Sequence, residues 1–186
     1  MTATSESEGM SVELRLRRLE DRQELADLVA RYGPAVDDRD AAVIEELFAE
    51  DSTFDTVAGV IKGRDRVVAY YLERLSMFGA SFHYPHSQTV EFDGDDRARG
   101  LVTAHAEMAS GAEAFWVALR YHDEYVREDG RWRFAVRRVE QLYALPLREL
   151  MEDMGSTHLL RWPGTDPAVA PLPPTGAVTP SGGRKD

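Results

Sequence analysis

The sequence predicts a single α+β domain in which helices come first and an antiparallel sheet follows. Up to about residue 78, apolar residues recur with the helical period of 3.6 residues. From His83 onwards the apolar period is two, and the turn Glu128-Asp129-Gly130 separates two long alternating runs. Helices followed by an antiparallel meander are typical of α+β domains, whereas a parallel doubly wound sheet would alternate strands with helices.

The first half of the chain divides into three helices and one short strand. Gly33-Pro34 predicts a kink or a tightened last turn in the first helix, because proline cannot donate a backbone hydrogen bond. Asp40 is placed to cap the second helix, and Gly59 and Gly63 mark turns. The predicted elements are helices over Val12–Val36, Ala41–Ala49 and Arg64–Phe78, with a strand over Thr53–Val57 before the third helix.

The second half is predicted to hold four strands and a terminal segment. The strands are expected over His83–Phe92, Arg99–Ala109, Ala114–Val126 and Arg131–Tyr143, and a short helix over Leu147–Leu160. Residues 1–11 are polar and residues 163–186 are rich in proline and glycine, so both are expected to be disordered or extended. The predicted domain therefore spans residues 12–150, followed by a C-terminal segment over residues 151–186.

The composition argues against several functional classes. The net charge is −11 and the chain has no cysteine, which excludes disulfides and thiolate metal sites. The one dense basic cluster, formed by Arg131, Arg133, Arg137 and Arg138, alternates with apolar residues and is interpreted as a solvated strand face. The N-terminus lacks an apolar signal sequence, and no apolar run reaches the roughly 18 residues that suggest a membrane span. We expect a cytoplasmic protein that binds neither nucleic acid nor a membrane.

Several segments at the joints of the predicted elements resemble one superfamily. They are LEDRQELADLVARYGPAVDDRD, ELFAEDSTFD, the glycine of IKGRDRVVAYY, the strand FHYPHSQTVEFDGD and the hairpin YHDEYVREDGRWRF. Across about residues 16–143 the chain resembles the SnoaL-like branch of the nuclear transport factor 2-like superfamily. That resemblance implies a cone-shaped α+β barrel, in which N-terminal helices pack on a curved, mostly antiparallel sheet around a small-molecule pocket.

The resemblance also implies a set of site residues. Dehydratase and dehydrochlorinase members, such as those like scytalone dehydratase and bile-acid 7α-dehydratase, place an aspartate late in the first helix. They place a histidine at the start of the first long strand. Here these residues are Asp37 and His83, and Tyr32 matches a tyrosine that the dehydratases carry five residues before the aspartate. Since one fold hosts many reactions, the resemblance does not select one of them.

The chemistry of Asp37 and His83 suits general acid–base catalysis. The unperturbed pKa of histidine lies near neutrality, and a carboxylate on one ring nitrogen fixes the tautomer and stabilises the imidazolium. Asp37 also lies near a helix C-terminus, where negative charge opposes the helix dipole. We predict an Asp37–His83 hydrogen bond in the cavity, with Tyr32 as a donor to a substrate oxygen. The alternative interpretation is a solvated Asp37, a core histidine and a core tyrosine.

Five further residues are candidates for substrate binding, namely His86, His105, Glu107, Trp116 and Arg138. His105 and Glu107 share one face of the second long strand, which either lines the cavity or faces solvent. Arg138 continues an apolar row of the fourth strand, so it is predicted either to clamp an anion or carbonyl or to form an ion pair. His86 follows Pro85, which leaves its face open, and Trp116 belongs to one of two sets that could complete the pocket wall.

These observations lead to one leading function and two alternatives. The chain lacks a phosphate loop, a nucleophile elbow and a nucleotide fingerprint, and His83-x-x-His86 is too loose a metal pattern, so we expect no cofactor and no metal. The leading function is a cofactor-independent lyase, with dehydratase as the first subtype, or an isomerase. Its substrate would be a small hydrophobic, oxygenated or ring-containing metabolite.

The alternatives are a non-catalytic small-molecule or protein-binding module and the small subunit of a ring-hydroxylating dioxygenase. By resemblance we also expect a homodimer or homotrimer. The segment around residues 156–158 is expected to cover the pocket as a lid.

Overall fold

The computed structural model describes residues 11–153 and 155–171, so the predictions for residues 1–10 and 172–186 lie outside the described residues. The helices are α1 (Val12–Asp37), α2 (Ala41–Leu47), α3 (Arg64–Ser76) and the short α4 (Leu150–Asp153). The strands are β1 (Phe48–Thr56), β2 (Gly59–Lys62), β3 (Ala80–Phe92), β4 (Arg97–Ser110), β5 (Glu113–Glu128) and β6 (Arg131–Pro146).

The strands form one six-stranded sheet in the order β2-β1-β6-β5-β4-β3. Strands β3 to β6 make an antiparallel meander, and β1 joins its edge by pairing in parallel with β6. The helices pack on this curved sheet, which confirms the predicted cone-shaped α+β class. Strand β1 begins five residues before the predicted start, at Phe48, because α2 ends at Leu47.

Side chains cap the first two helices, and at α2 the capping residue is the predicted Asp40. The Ser11 hydroxyl accepts a hydrogen bond from the Leu14 amide at 3.2 Å, and Asp40 accepts one from the Val43 amide at 3.1 Å. Helix α1 continues through Pro34 to Asp37. Its last turn therefore carries Asp37 to the start of β3.

The core lies between the helices and one face of the sheet. Because side chains alternate along a strand, every second residue of β5 is buried from Phe115 to Tyr125. Buried residues of α1 and α3 pack against this inner face; they include Leu25, Val29, Val36, Val67 and Leu75. The opposite face of β3–β6, which we call the outer face, is covered by none of the helices in the described residues.

The segment after β6 folds back onto the sheet. Residues 163–171 were expected to extend as a tail, and among them only Ala170 is buried. Leu159 and Ala170 pack with Leu145 in a second small core. The predicted helix over Leu147–Leu160 is wrong over most of its length, since within residues 147–153 and 155–160 only Leu150–Asp153 is helical. Among the described residues, no helix is both long and apolar enough to cross a membrane.

Candidate active site

Helix α1 meets strand β3 at unusually close range beside His83. A Cβ atom built on Gly33 would lie 2.6 Å from the His83 carbonyl oxygen, a distance that real Cβ atoms do not tolerate. Glycine is therefore required for the helix and the strand to touch here. One turn further along, the same contact delivers Asp37 to the His83 side chain.

The predicted hydrogen bond between Asp37 and His83 is present. His83 Nδ1 lies 2.6 Å from Asp37 Oδ1, and the His83 amide donates to Asp37 Oδ2 at 2.8 Å. The Ser81 hydroxyl also donates to Oδ1, at 3.4 Å. An ionised Asp37 accepts the Nδ1 proton, which leaves the lone pair on Nε2. None of residues 11–153 and 155–171 forms a hydrogen bond with Nε2.

His83 lies in the wall of a cavity of about 160 Å³ between the helices and the inner face of the sheet. Most of the wall is apolar. The polar side chains that line it are Tyr32, Thr56, Tyr70, Tyr71, Arg74, His83, Tyr121, Gln141 and Trp162. The apolar wall is supplied mainly by Val36, Phe54, Leu75, Phe78, Ala106, Met108, Val117, Leu119 and Val139. Such a mixture of a mostly apolar wall with a few convergent polar groups is typical of small-molecule sites.

Three buried tyrosines lie beside the histidine. The hydroxyl groups of Tyr32 and Tyr71 share a hydrogen bond of 2.9 Å, and the Tyr32 ring makes edge contacts with Tyr121 at 5.5 Å and with His83 at 6.2 Å. Burial raises the pKa of Tyr71 and of Tyr121 well above the ordinary value. Both hydroxyls therefore remain neutral hydrogen-bond donors near neutral pH.

A buried ion pair lies directly behind these tyrosines. Arg137 makes a two-point contact with Asp123, through Nε at 2.9 Å and Nη2 at 2.8 Å, and both side chains are inaccessible to solvent. Its guanidinium lies over the rings of Tyr32, Tyr121 and Phe134 at 4.0 to 4.1 Å. Burial alone would lower the pKa of Arg137, but Asp123 outweighs burial and holds that pKa above its ordinary value.

The placement of Arg138 on the inner row is wrong. Phe134 pairs with Tyr125 and Val136 pairs with Glu124, so Ala135 is an extra residue in β6. This β-bulge shifts the alternation by one position. Arg137 therefore enters the core, whereas Arg138 pairs with His122 on the outer face and is exposed.

The other four candidate binding residues also lie on the outer face. Along β4 the buried residues are Val102, Ala104 and Ala106, so His105 and Glu107 point the other way. Trp116, on β5, contacts the His105 ring at 5.4 Å. A register shift between Pro85 and Ser87 places His86 there too, with its Nε2 2.8 Å from His105 Nδ1. These placements oppose a cavity role for His86, His105, Glu107 and Trp116.

Sequence reasoning gave no site role to the cavity residues Tyr71, Gln141 and Trp162, whereas Tyr121 belongs to one of the two β5 sets considered for the pocket wall. Tyr71 stands on the buried face of α3, where its pattern indicated core packing rather than a site. Gln141 and Trp162 share a hydrogen bond of 3.0 Å from the indole Nε1 to the amide oxygen. No sequence signal joins those two, because the fold of residues 155–171 brings them together. No cluster of three or more potential metal ligands occurs in the described parts of the chain.

A histidine in the wall of a cavity, paired with an aspartate behind it in a helix-covered, curved sheet, defines a class of small-molecule-binding α+β domains. Residues 17–138, more than half of the chain, match the SnoaL-like domain family. The protein belongs to that family.

Comparisons with individual proteins agree with this assignment. The chain is 28% identical over 137 residues to the gamma-hexachlorocyclohexane dehydrochlorinase of Sphingobium indicum, which covers 71% of this chain and 87% of that protein. It is 28% identical over 131 residues to the uncharacterized protein Rv2910c of Mycobacterium tuberculosis, covering 68% and 88%. The crystal structure of LinA superposes with a TM-score of 0.68 at 27% identity, covering 72% of this chain and 93% of LinA. A scytalone dehydratase-like protein of Novosphingobium aromaticivorans shares the fold, with a TM-score of 0.64 at 18% identity over 69% and 89% of the two chains.

Proposed function

We propose that the protein is a cofactor-independent lyase or isomerase, with dehydration of a small oxygenated ring compound as its leading reaction. The observation that carries this proposal is the 2.6 Å contact between His83 Nδ1 and Asp37 Oδ1 beside the cavity, with no hydrogen bond from any described residue to His83 Nε2. A relative at 28% identity is named as a dehydrochlorinase, and that name describes an elimination. Side chains of Asp37 and His83 that lay apart would have favoured the binding-module alternative.

The proposed reaction starts with removal of a proton next to a carbonyl group. His83 Nε2 takes the proton from Cα, and the electron pair of that C–H bond moves onto the carbonyl oxygen as an enolate. Asp37 stabilises the imidazolium that forms. The enolate then re-forms the carbonyl group and the Cα=Cβ bond while the Cβ–O bond breaks. The imidazolium returns its proton to the departing hydroxyl group, which leaves as water, so atoms and charge balance. An isomerisation would return the proton to another carbon instead.

The tyrosines supply the second requirement, which is stabilisation of charge on the carbonyl oxygen. Tyr32 lies against His83 and shares a hydrogen bond with Tyr71, so its hydroxyl is held in a fixed orientation. Preorganised donors in a water-poor cavity stabilise a developing oxyanion more strongly than water does. The Arg137 guanidinium packs on the Tyr32 ring at 4.1 Å, and this contact helps to hold the phenol in place.

The proposal is tested with a simple β-hydroxy ketone. We expect purified protein to convert 3-hydroxycyclohexanone to cyclohex-2-enone, followed by ultraviolet absorbance, and to exchange the α-protons of the ketone in D₂O, followed by NMR. His83→Ala should lower both rates about 10²–10⁴-fold while circular dichroism stays unchanged. His122→Ala is the control, because His122 lies on the outer face and pairs with Glu140. Equal rates for His83→Ala and the wild type would refute the proposed base.

A further inference from the structure

Trp162 fills a gap in the wall of the cavity. Its indole ring contacts Phe78, which follows α3, at 6.2 Å, and stacks on Phe115 of β5 at 6.1 Å. Its Nε1–H donates to Gln141 of β6 at 3.0 Å. A single side chain thus spans the opening between the end of α3 and the last two strands of the sheet.

The backbone around Trp162 is held firmly. Leu160 bridges to Ala144 at the end of β6 on one side and to Ala168 on the other. The Thr165 amide and hydroxyl both donate to the Trp162 carbonyl, at 3.2 and 3.0 Å, which closes a turn. Leu159, 2% exposed, anchors the segment in the second core. Trp162 also lies beyond residues 17–138 that match the family, so this wall is a feature of the chain's own C-terminal segment.

The volume left by Trp162 is small. The cavity measures about 160 Å³, close to the roughly 150 Å³ of an engineered apolar cavity that binds benzene. Pockets for larger ligands measure roughly 300–1,000 Å³. With the indole in place, the space beside His83 and the tyrosines is therefore close in size to a site for one six-membered ring and small for two fused rings.

We propose that Trp162 determines the substrate size of this site, restricting it to compounds with a single ring. The inference rests on the proposed function in one respect, namely that the cavity is where the ligand binds. Gln141 is the positioning residue in this arrangement, since its amide oxygen holds the indole nitrogen. Removal of the indole should open the cavity toward the outside and admit a second ring.

The test compares phenol and 2-naphthol as one-ring and two-ring probes by isothermal titration calorimetry. Each carries one hydroxyl group that can meet the tyrosine hydroxyls. Wild-type protein should bind phenol and should bind 2-naphthol more weakly. Trp162→Ala should shift the ratio of the two affinities toward 2-naphthol by about tenfold or more, a change of the size that pocket fit produces. Gln141→Leu should shift the ratio in the same direction by a smaller factor.

Val169→Ala is the matched control, because Val169 lies in the same segment and is 62% exposed. It should leave the ratio unchanged, which separates loss of the indole from loosening of the segment. Phenol binding with an unchanged ratio in Trp162→Ala would overturn this inference and leave the proposed function standing. Failure of every variant to bind either probe would overturn it as well. Loss of catalysis is measured separately through His83→Ala, so the two failures are distinguishable.

Discussion

The two faces of the sheet carry the same kinds of side chain in different surroundings. On the inner face, His83 pairs with Asp37 in a cavity, and both side chains are nearly buried, at 12% and 15% exposure. On the outer face, His105 shares a hydrogen bond with His86, while its Nε2 lies 3.7 Å from Glu107, which is half exposed. Water competes for the charges and hydrogen bonds of the outer pair and so weakens that interaction. Water competes far less for the inner pair, which is nearly buried.

The comparison shows that residue type alone does not identify a site. Each face offers a histidine and a carboxylate on neighbouring positions. His83 on the inner face also lines a cavity, and tyrosine hydroxyls that stay neutral lie beside it. The following experiments challenge this distinction, beginning with the largest expected effect.

The first experiment exchanges a carboxylate for an amide on each face. Asp37→Asn should lower turnover of the β-hydroxy ketone about 10³-fold or more, because the amide cannot stabilise the imidazolium and favours the wrong tautomer. Glu107→Gln should change turnover less than about twofold. Steady-state kinetics of both variants measure the difference. Comparable losses in the two variants would show that the outer face takes part in the reaction.

The second experiment compares two neighbouring arginines. Arg137→Met should destabilise the protein by about 3–5 kcal/mol, since it leaves the buried Asp123 charge without a partner. Arg138→Met should cost less than about 0.5 kcal/mol, as is usual for exposed positions. Urea unfolding at pH 7 gives both values. If Arg138→Met proved the more destabilising, the assignment of the two arginines to opposite faces would be wrong.

The third experiment separates helix α1 from strand β3. Gly33→Ala places a methyl group 2.6 Å from the His83 carbonyl oxygen, so the helix must move. We expect a destabilisation of about 1–3 kcal/mol from overpacking, together with a lower kcat because the Asp37–His83 contact shifts. Gly79→Ala is the control, since a Cβ atom there would lie 3.9 Å from the nearest atom, the Ala109 carbonyl oxygen, which is an ordinary van der Waals distance. An unaltered kcat in Gly33→Ala would mean that the contact does not set the geometry of the pair.

The smallest effect concerns the outer histidines. Burial and the nearby His86 charge lower the pKa of His105 below its ordinary value of 6.5. NMR titration of the imidazole signals should therefore place the His105 midpoint below that value, with the ring neutral at pH 7. His86→Asn removes the like charge and should raise the midpoint. A midpoint that does not respond would show that the two rings do not interact electrostatically.

Much of the fold could be predicted from the periodicity of apolar residues, whereas the residues of the site could not be identified in that way. The change from a helical period to alternation predicted the helices and the meander, because burial of one face produces those patterns. Asp37 and His83 were identified through resemblance to known enzymes, not through spacing, since 46 positions separate them. Arg138 was placed wrongly because the bulge at Ala135 altered the alternation, whereas alternation alone left the faces of the other candidates on β3 to β5 open. Trp162 was missed because a proline-rich composition does not reveal which apolar residues fold back.

The bulge at Ala135 has a consequence for how relatives of this protein are compared. Arg137 and Arg138 are consecutive in the chain, yet one belongs to the interior and the other to the surface. An alignment that slips by one position in β6 would equate a core cation with a solvated one. Among relatives, we therefore expect substitutions to be tolerated at position 138 and restricted at position 137, although both positions hold arginine here.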